Sequence, residues 1–396
     1  MKINKILGVT FVVSLSSMAL VNAKSVNIGS LQALTGPLES LIVHMSASAD
    51  IAAREASDSG KFLGGTLINV ARADSRCIEA DVAVAEAERL INGEKVIAIM
   101  GPNCSGATTA VVNNVTVPNG VVTISPSATS PALSTIEDRG FFFRTVSSDA
   151  RQGQVIANIA IQKGIKTVAL TYTNNDYGKG LSNTFVAAYE KLGGKISISA
   201  AHEDGKADYS AEVAALSASG ASVLAVFGYV DQGGKGIVQA SLDTGAFDSF
   251  IFADGMISDN LTKLGAELNG SWGTIPSNGG IADEKWQKVA KANGVKIGGP
   301  YLGESYDAMA LIVLSAQAAN STDRMALKAQ VMKVANAPGE KIYAGELAKG
   351  LSLLAQGKQI DYVGASNIEF NAVGEVQGAY KEKLIVNEQF ETIDIH

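Results

Sequence analysis

The sequence predicts an α/β chain built of two doubly wound units. Three observations carry this. Apolar runs of strand length alternate with helix-like runs at a spacing of roughly 25–30 residues over the first 150 positions, the pattern of a parallel sheet with helices on both faces. The polar break Ser147-Ser148-Asp149-Ala150 ends that series, and the same alternation then restarts. The chain has 396 residues, more than one core usually holds.

In order, Val26–Leu34 reads as a strand ending at Thr35-Gly36-Pro37, and Glu39–Ser57 has helical apolar spacing through Leu41, Ile42, Met45, Ala49 and Ala52. Thr66–Ala71 is a strand and Glu79–Ile91 a helix with Glu86, Glu88 and Arg89 outside. Val96–Met100, Val121–Ser125 and Phe141–Val146 are further strands. The restarted series gives helices at Arg151–Gln162, Leu181–Leu192, Asp208–Ser217 and Gln232–Leu242. Its strands are Thr167–Thr171, Lys195–Ala200, Ser222–Phe227 and Ser249–Ala253. Beyond it the pattern is mixed. Ser271–Ile275 is a strand; Ala282–Ala292, Tyr301–Ala319, Met325–Val334 and Gly345–Gln356 are helices. Ile360–Val363 and Asn367–Phe370 are short strands, and Gln377–Asp394 alternates as a strand pair.

Function concentrates in Met100 to Leu133. Two neighbouring strands end in Gly101-Pro102-Asn103-Cys104-Ser105 and in Ser127-Ala128-Thr129-Ser130-Pro131. Ser130 suits an N-cap and Pro131 the first helical position. Ligands of open α/β sheets bind at the C-terminal strand ends, and a helix start flanked by Ser or Thr suits an anion. Ser105 and Thr129 are thus candidate clamps for a carboxylate. Two ordinary capped helix starts would read the same way, so the stretch alone leaves both open.

Residues 1–23 read as a secretory signal peptide: Lys2 and Lys5, the mostly apolar Ile6–Leu20, and small residues before cleavage after Ala23. Its removal takes two lysines and moves the formal charge from −7 to −9. A mildly acidic exported chain argues against nucleic acid and acidic membranes as partners. Cys77 and Cys104 are the two cysteines. An isolated pair in an oxidising compartment indicates one disulfide, worth roughly 3 kcal/mol; two buried thiols are the other reading. The three histidines, His44, His202 and His396, lie far apart, so no His-based metal site is expected. The chain lacks G-x-G-x-x-G after its first strand, a phosphate loop and a G-x-S-x-G elbow. Neither an enzyme nor a cofactor is expected.

Several segments resemble, in order and spacing, the periplasmic solute-binding proteins of amino-acid ABC transporters, the type I, leucine/isoleucine/valine-binding-like group. They are NIGSLQALTGP, DSRC, GPNCSG, ISPSATSPAL, FFFRTVSSDARQG, NNDYGKGL, GYVDQGGKG, FADG and YDAMA. The resemblance covers nearly all of the chain after the leader. It implies a venus-flytrap fold, with two doubly wound parallel-sheet lobes joined by three hinge crossings near Ser147-Ser148, Thr274–Pro276 and Tyr362–Gly364. Lobe 1 would be 24–147 plus 276–362, and lobe 2 148–275 plus 363–396. Ala337–Tyr362 looks longer than in leucine-binding members.

By position, the resemblance puts Ser105 and Thr129 on a ligand α-carboxylate and the Ser127 carbonyl, beside Ala128, on its ammonium. Asp254 is the acidic partner of that ammonium. Tyr177 and Tyr229 close over the ligand from lobe 2. Leu41 and Asn103 line the side-chain pocket, with Glu39 close to Leu41; Arg144 is expected in a structural ion pair near the hinge. The implied function is capture of an amino acid, branched-chain or broader, by hinge closure. The implied partners are an inner-membrane permease and its ATPase, the chain itself being a periplasmic monomer. The competing reading keeps the fold but binds a short amide, urea or a small carboxylic acid. Asp254 separates the two, because only a cationic group needs it.

Overall fold

A computed structural model describes residues 24–277 and 279–396, so the expected leader lies outside the described residues. The first sheet takes β1 (Ser25–Gln32), then α1 (Glu39–Asp58), β2 (Leu67–Asp74), α2 (Ala80–Asn92), β3 (Ala98–Met100), α3 (Ser105–Val111), β4 (Val122–Ser125) and β5 (Phe142–Arg144). Its strands run parallel in the order β2-β1-β3-β4-β5. β3 and β4 are buried throughout, as a sheet covered on both faces requires.

The second sheet begins after α4 (Asp149–Gln162). It comprises β6 (Thr167–Thr173), α5 (Asp176–Lys191), β7 (Lys195–His202), α6 (Ser210–Ser217), β8 (Leu224–Phe227), α7 (Gly233–Thr244), β9 (Phe250–Phe252), α8 (Asp259–Thr262) and β10 (Trp272–Pro276). β7-β6-β8-β9-β10 are parallel. In both sheets the chain order reverses beside the earliest strand, which makes a crevice at the C-terminal strand ends.

The chain then returns to the first sheet. After α9 (Gly280–Ala292), α10 (Leu302–Ala319) is buried along most of its length, packed against α1. α11 (Arg324–Ala335) and α12 (Leu347–Ala355) cover α10, with β11 (Glu340–Tyr343) and β12 (Ile360–Gly364) pairing in parallel between them. Strand β11 was not visible in the apolar pattern. It falls inside the longer segment 337–362, which lies on this side of the molecule.

The third crossing falls later than the sequence places it. The Asp307 carboxylate accepts from Tyr362 Oη (2.6 Å), Ala365 N (2.8 Å) and Ser366 N (2.8 Å). The Phe370 ring stacks on Phe143 at 5.6 Å, and Arg144 N donates to the Gly374 carbonyl (3.0 Å). Residues 363–376 therefore stay with the first sheet, and the expected strand at Asn367–Phe370 is irregular chain apart from a bridge between Phe370 and Val376. Only β13 (Tyr380–Val386) and β14 (Gln389–Ile395) join the second sheet, as an antiparallel pair on β10. Tyr380 Oη meets Ser147 Oγ at 2.8 Å, tying the third crossing to the first.

Candidate functional site

The site is assembled from strand-end loops. The β3–α3 loop approaches β1 so closely that a side chain at Gly101 would meet the Leu31 carbonyl at 1.9 Å, and its φ of 106° also calls for glycine. The disulfide Cys77–Cys104 pins this loop to the end of β2, as one of the two sequence readings had it. Ser105 then opens α3. Its Oγ accepts from Ser130 N (3.1 Å), which leaves the hydroxyl proton to donate elsewhere. Ser125 Oγ accepts from Ala128 N (3.0 Å) and donates to the Pro102 carbonyl (2.6 Å), so the Ala128 N–H is already engaged.

Asn103 is a brace. Its Oδ1 accepts from Ala33 N (2.9 Å), and its Nδ2 donates to Ser127 Oγ (3.3 Å). Its carboxamide thus holds the β1, β3 and β4 loops together. Arg144 fills the space behind the Ala128–Ser130 loop. It donates to the carbonyls of Ala128 (3.0 Å) and Ser130 (2.9 Å) and pairs with Glu375.

The acidic side comes from the second sheet. Asp254 follows β9, wholly buried. Its Oδ1 accepts from Tyr177 Oη (2.7 Å) and Gly255 N (2.9 Å), and the Tyr301 hydroxyl lies beside the carboxyl. In the amide orientation that satisfies its neighbours, Gln152 donates to Asp254 Oδ2 (3.2 Å) and Asp149 Oδ1 (3.0 Å), and accepts from Thr274 Oγ1 (3.1 Å). Asp149 is also wholly buried, and its Oδ2 has no hydrogen-bond partner among the described residues. Thr129 bridges the two halves: its carbonyl accepts from Asp149 N (2.9 Å), and its buried hydroxyl faces the Asp149 carboxyl without a well-formed hydrogen bond. The Tyr177 and Tyr229 rings stack at 5.3 Å.

Burial raises the pKa of both carboxyls, and for Asp149 the charge of Asp254 adds to the rise. Burial and the same carboxyls push Tyr177 and Tyr301 well above the ordinary phenol range, so both remain neutral donors. Two buried acids thus lie together, and Arg144, the cation that bears on Asp149, is bonded to Glu375 and to the Ala128 and Ser130 carbonyls.

The two halves touch. Thr109 Oγ1 donates to Asp176 Oδ2 (3.1 Å), Ser40 N to Asp231 Oδ2 (2.7 Å), and Asp231 N to the Pro37 carbonyl (3.1 Å). Leu41 faces a cavity of about 700 Å³ between α1, the Ile257–Lys263 segment and the β13–β14 turn. Glu39 is exposed on the first turn of α1.

The first sheet's loop residues Ser105, Ser127 and Thr129 thus come up to the second sheet's Asp149, Asp254, Tyr177 and Tyr229 through the Thr129–Asp149 contact, while Leu41 lines the cavity beside α1. Sequence reasoning missed Asp149, Gln152 and Tyr301. The i,i+3 spacing of Asp149 and Gln152 just after a crossing was the available signal, because it puts both on one helix face. Tyr301 precedes α10 in a left-handed conformation (φ 65°) rather than within it.

The family described as periplasmic binding protein matches residues 25–345. A substrate-binding protein of a chemotactic signal transduction system, BasB of Halobacterium salinarum, is 25% identical over 93% of this chain and 89% of its own. The Leu/Ile/Val-binding protein BraC3 of Rhizobium johnstonii is 28% identical over 73% of this chain and 77% of its own. Among solved structures, the leucine-binding protein LivK of Thermotoga maritima superposes with a TM-score of 0.78 at 21% identity, covering 93% of this chain and 98% of that one. A solute-binding protein of Rhodopseudomonas palustris in complex with 4-hydroxybenzoate gives 0.76 at 16% identity, covering 94% and 97%.

Proposed function

The chain belongs to the periplasmic binding protein family, and from that premise we propose that it captures an α-amino acid between two lobes and passes it to an ABC importer. Members of this family are extracytoplasmic solute-binding proteins, not enzymes. The observation that carries the amino-acid reading is the buried pair Asp149 and Asp254. Two buried carboxyls can ionise only beside a cation, because an unpaired buried charge is very costly. A ligand ammonium beside Asp254, the Ser127 carbonyl and Thr129 meets that need. Ser105 and Thr129 hydroxyls then take the ligand carboxylate, and Tyr177 and Tyr229 cover it. Leu41 borders the space for its side chain.

A bare carboxylic acid, as bound by the 4-hydroxybenzoate protein, would add a third negative group to this pair. We assign 24–147 and 276–376 to one lobe and 148–275 with 377–396 to the other, closing about three crossings. In this reading the chain is a periplasmic monomer, freed of its leader after Ala23, that docks on an inner-membrane permease and its ATPase.

A thermal-shift screen of amino acids, short amides, urea and organic acids tests the assignment, since a ligand that binds only the folded state raises Tm by mass action. An amino acid should give the largest shift, and Asp254→Ala should abolish it while the chain stays folded. A best ligand without an amine, or an undiminished shift in Asp254→Ala, refutes it.

A further inference from the structure

A second cavity, of about 220 Å³, lies at the hinge. The Ile275–Ser277 crossing, α9, the first turn of α10 and one face of β13 wall it. Two ionisable side chains face it without a counter-ion among the described residues. Glu304 is 6% exposed, and among the described residues no other side chain bonds or ion-pairs with its carboxyl. Lys383 is 4% exposed, and its Nζ donates to Thr392 Oγ1 (3.0 Å), a neutral group. Glu304 and Lys383 are not bonded to each other. Lys381, two residues along the same strand face, is already paired with Asp283 (2.9 Å). Burial pushes Glu304 up to about 8 and Lys383 down to about 8, so each is losing its charge for want of a partner.

We propose that this hinge cavity is a second ligand site, separate from the crevice at Asp254, for a small zwitterion such as a free amino acid. An ammonium would meet Glu304 and a carboxylate would meet Lys383, and each would restore the charge that burial suppresses. The volume equals about seven waters, enough for a small amino acid. The place matters for closure. Thr145 Oγ1, in the first crossing, donates to the Glu304 carbonyl (2.8 Å), and the second crossing forms one wall. An occupant would therefore couple to the lobe equilibrium, and to affinity at the crevice in both directions.

Calorimetric titration of glycine into the Asp254→Ala chain tests the proposal, because that chain should retain only the hinge site. Glycine should bind saturably, one per chain. Adding Glu304→Gln or Lys383→Met, each close in volume to the residue it replaces, should weaken binding at least tenfold. Acetate and methylamine, which carry one charge each, should bind at least tenfold more weakly than glycine. Absence of saturable glycine binding overturns the proposal. So does binding that both substitutions leave unchanged, or equal binding of the one-charge probes. Failure of the crevice reading would register differently, as an unaltered primary ligand shift in Asp254→Ala.

Discussion

Replacing Glu304 by Gln should stabilise the ligand-free chain, by an amount that grows with pH. The carboxyl is buried with no hydrogen-bond donor from another side chain among the described residues, and its pKa rises from 4.5 to about 8 on folding. A raised folded pKa means that folding takes up a proton. The stability from this group is complete below 4.5 and is lost as pH climbs toward 8. The slope is about 1.4 kcal/mol per pH unit, so the full loss is about 5 kcal/mol. Gln keeps the shape without the ionisation. The variant should therefore exceed wild type by under about 1 kcal/mol near pH 5, by about 3 near pH 7 and by about 5 near pH 9. Urea melts of both chains at these three values measure the gap, and other titrating groups cancel in the difference. A gap that stays flat with pH, or a variant weaker than wild type near pH 9, would refute the reasoning.

Other perturbations should be equally readable. Replacing Cys77 and Cys104 together by Ala opens the loop that pins Ser105, and should cost about 3–4 kcal/mol in urea melts along with ligand affinity. Arg144→Met strands Glu375 and frees the Ala128 and Ser130 carbonyls. It should cost about 3–5 kcal/mol by urea midpoint, and adding Glu375→Gln should recover part of the loss. Amino-acid binding should release protons, since an ammonium draws the raised pKa values of Asp149 and Asp254 back down. Affinity should then fall as pH is lowered, starting above the ordinary carboxylate range, and titrations in two buffers of different ionisation heat should differ.

Much of the frame was legible because alternating β-α sequence leaves few topologies open. The strand-end loops after β3 and β4 could be found from Gly101-Pro102 and Ser130-Pro131, where turn chemistry is local. The acidic half was harder. Asp254 stood out through its resemblance, but Asp149 looked like part of a polar break, and its partner Gln152 is brought to Asp254 by chain folding alone. The bracing bonds of Asn103 were not legible, because a polar residue in a site loop reads alike whether it faces ligand or braces backbone. The third crossing was misplaced because residues 363–376 carry no periodicity. Their position follows from the Asp307 carboxylate and the Phe143 ring, contacts that no local pattern announces.

The central claim is that the buried acid pair selects an amine-bearing ligand. The most direct measurement compares, by calorimetry on the wild-type chain, the best amino acid of the screen with its deamino analogue, which keeps the side chain and carboxylate. The amino acid should bind at least about a hundredfold more tightly, two steps of about 1.4 kcal/mol, within what a charge-assisted hydrogen bond contributes. Equal or tighter binding of the deamino acid would contradict the account.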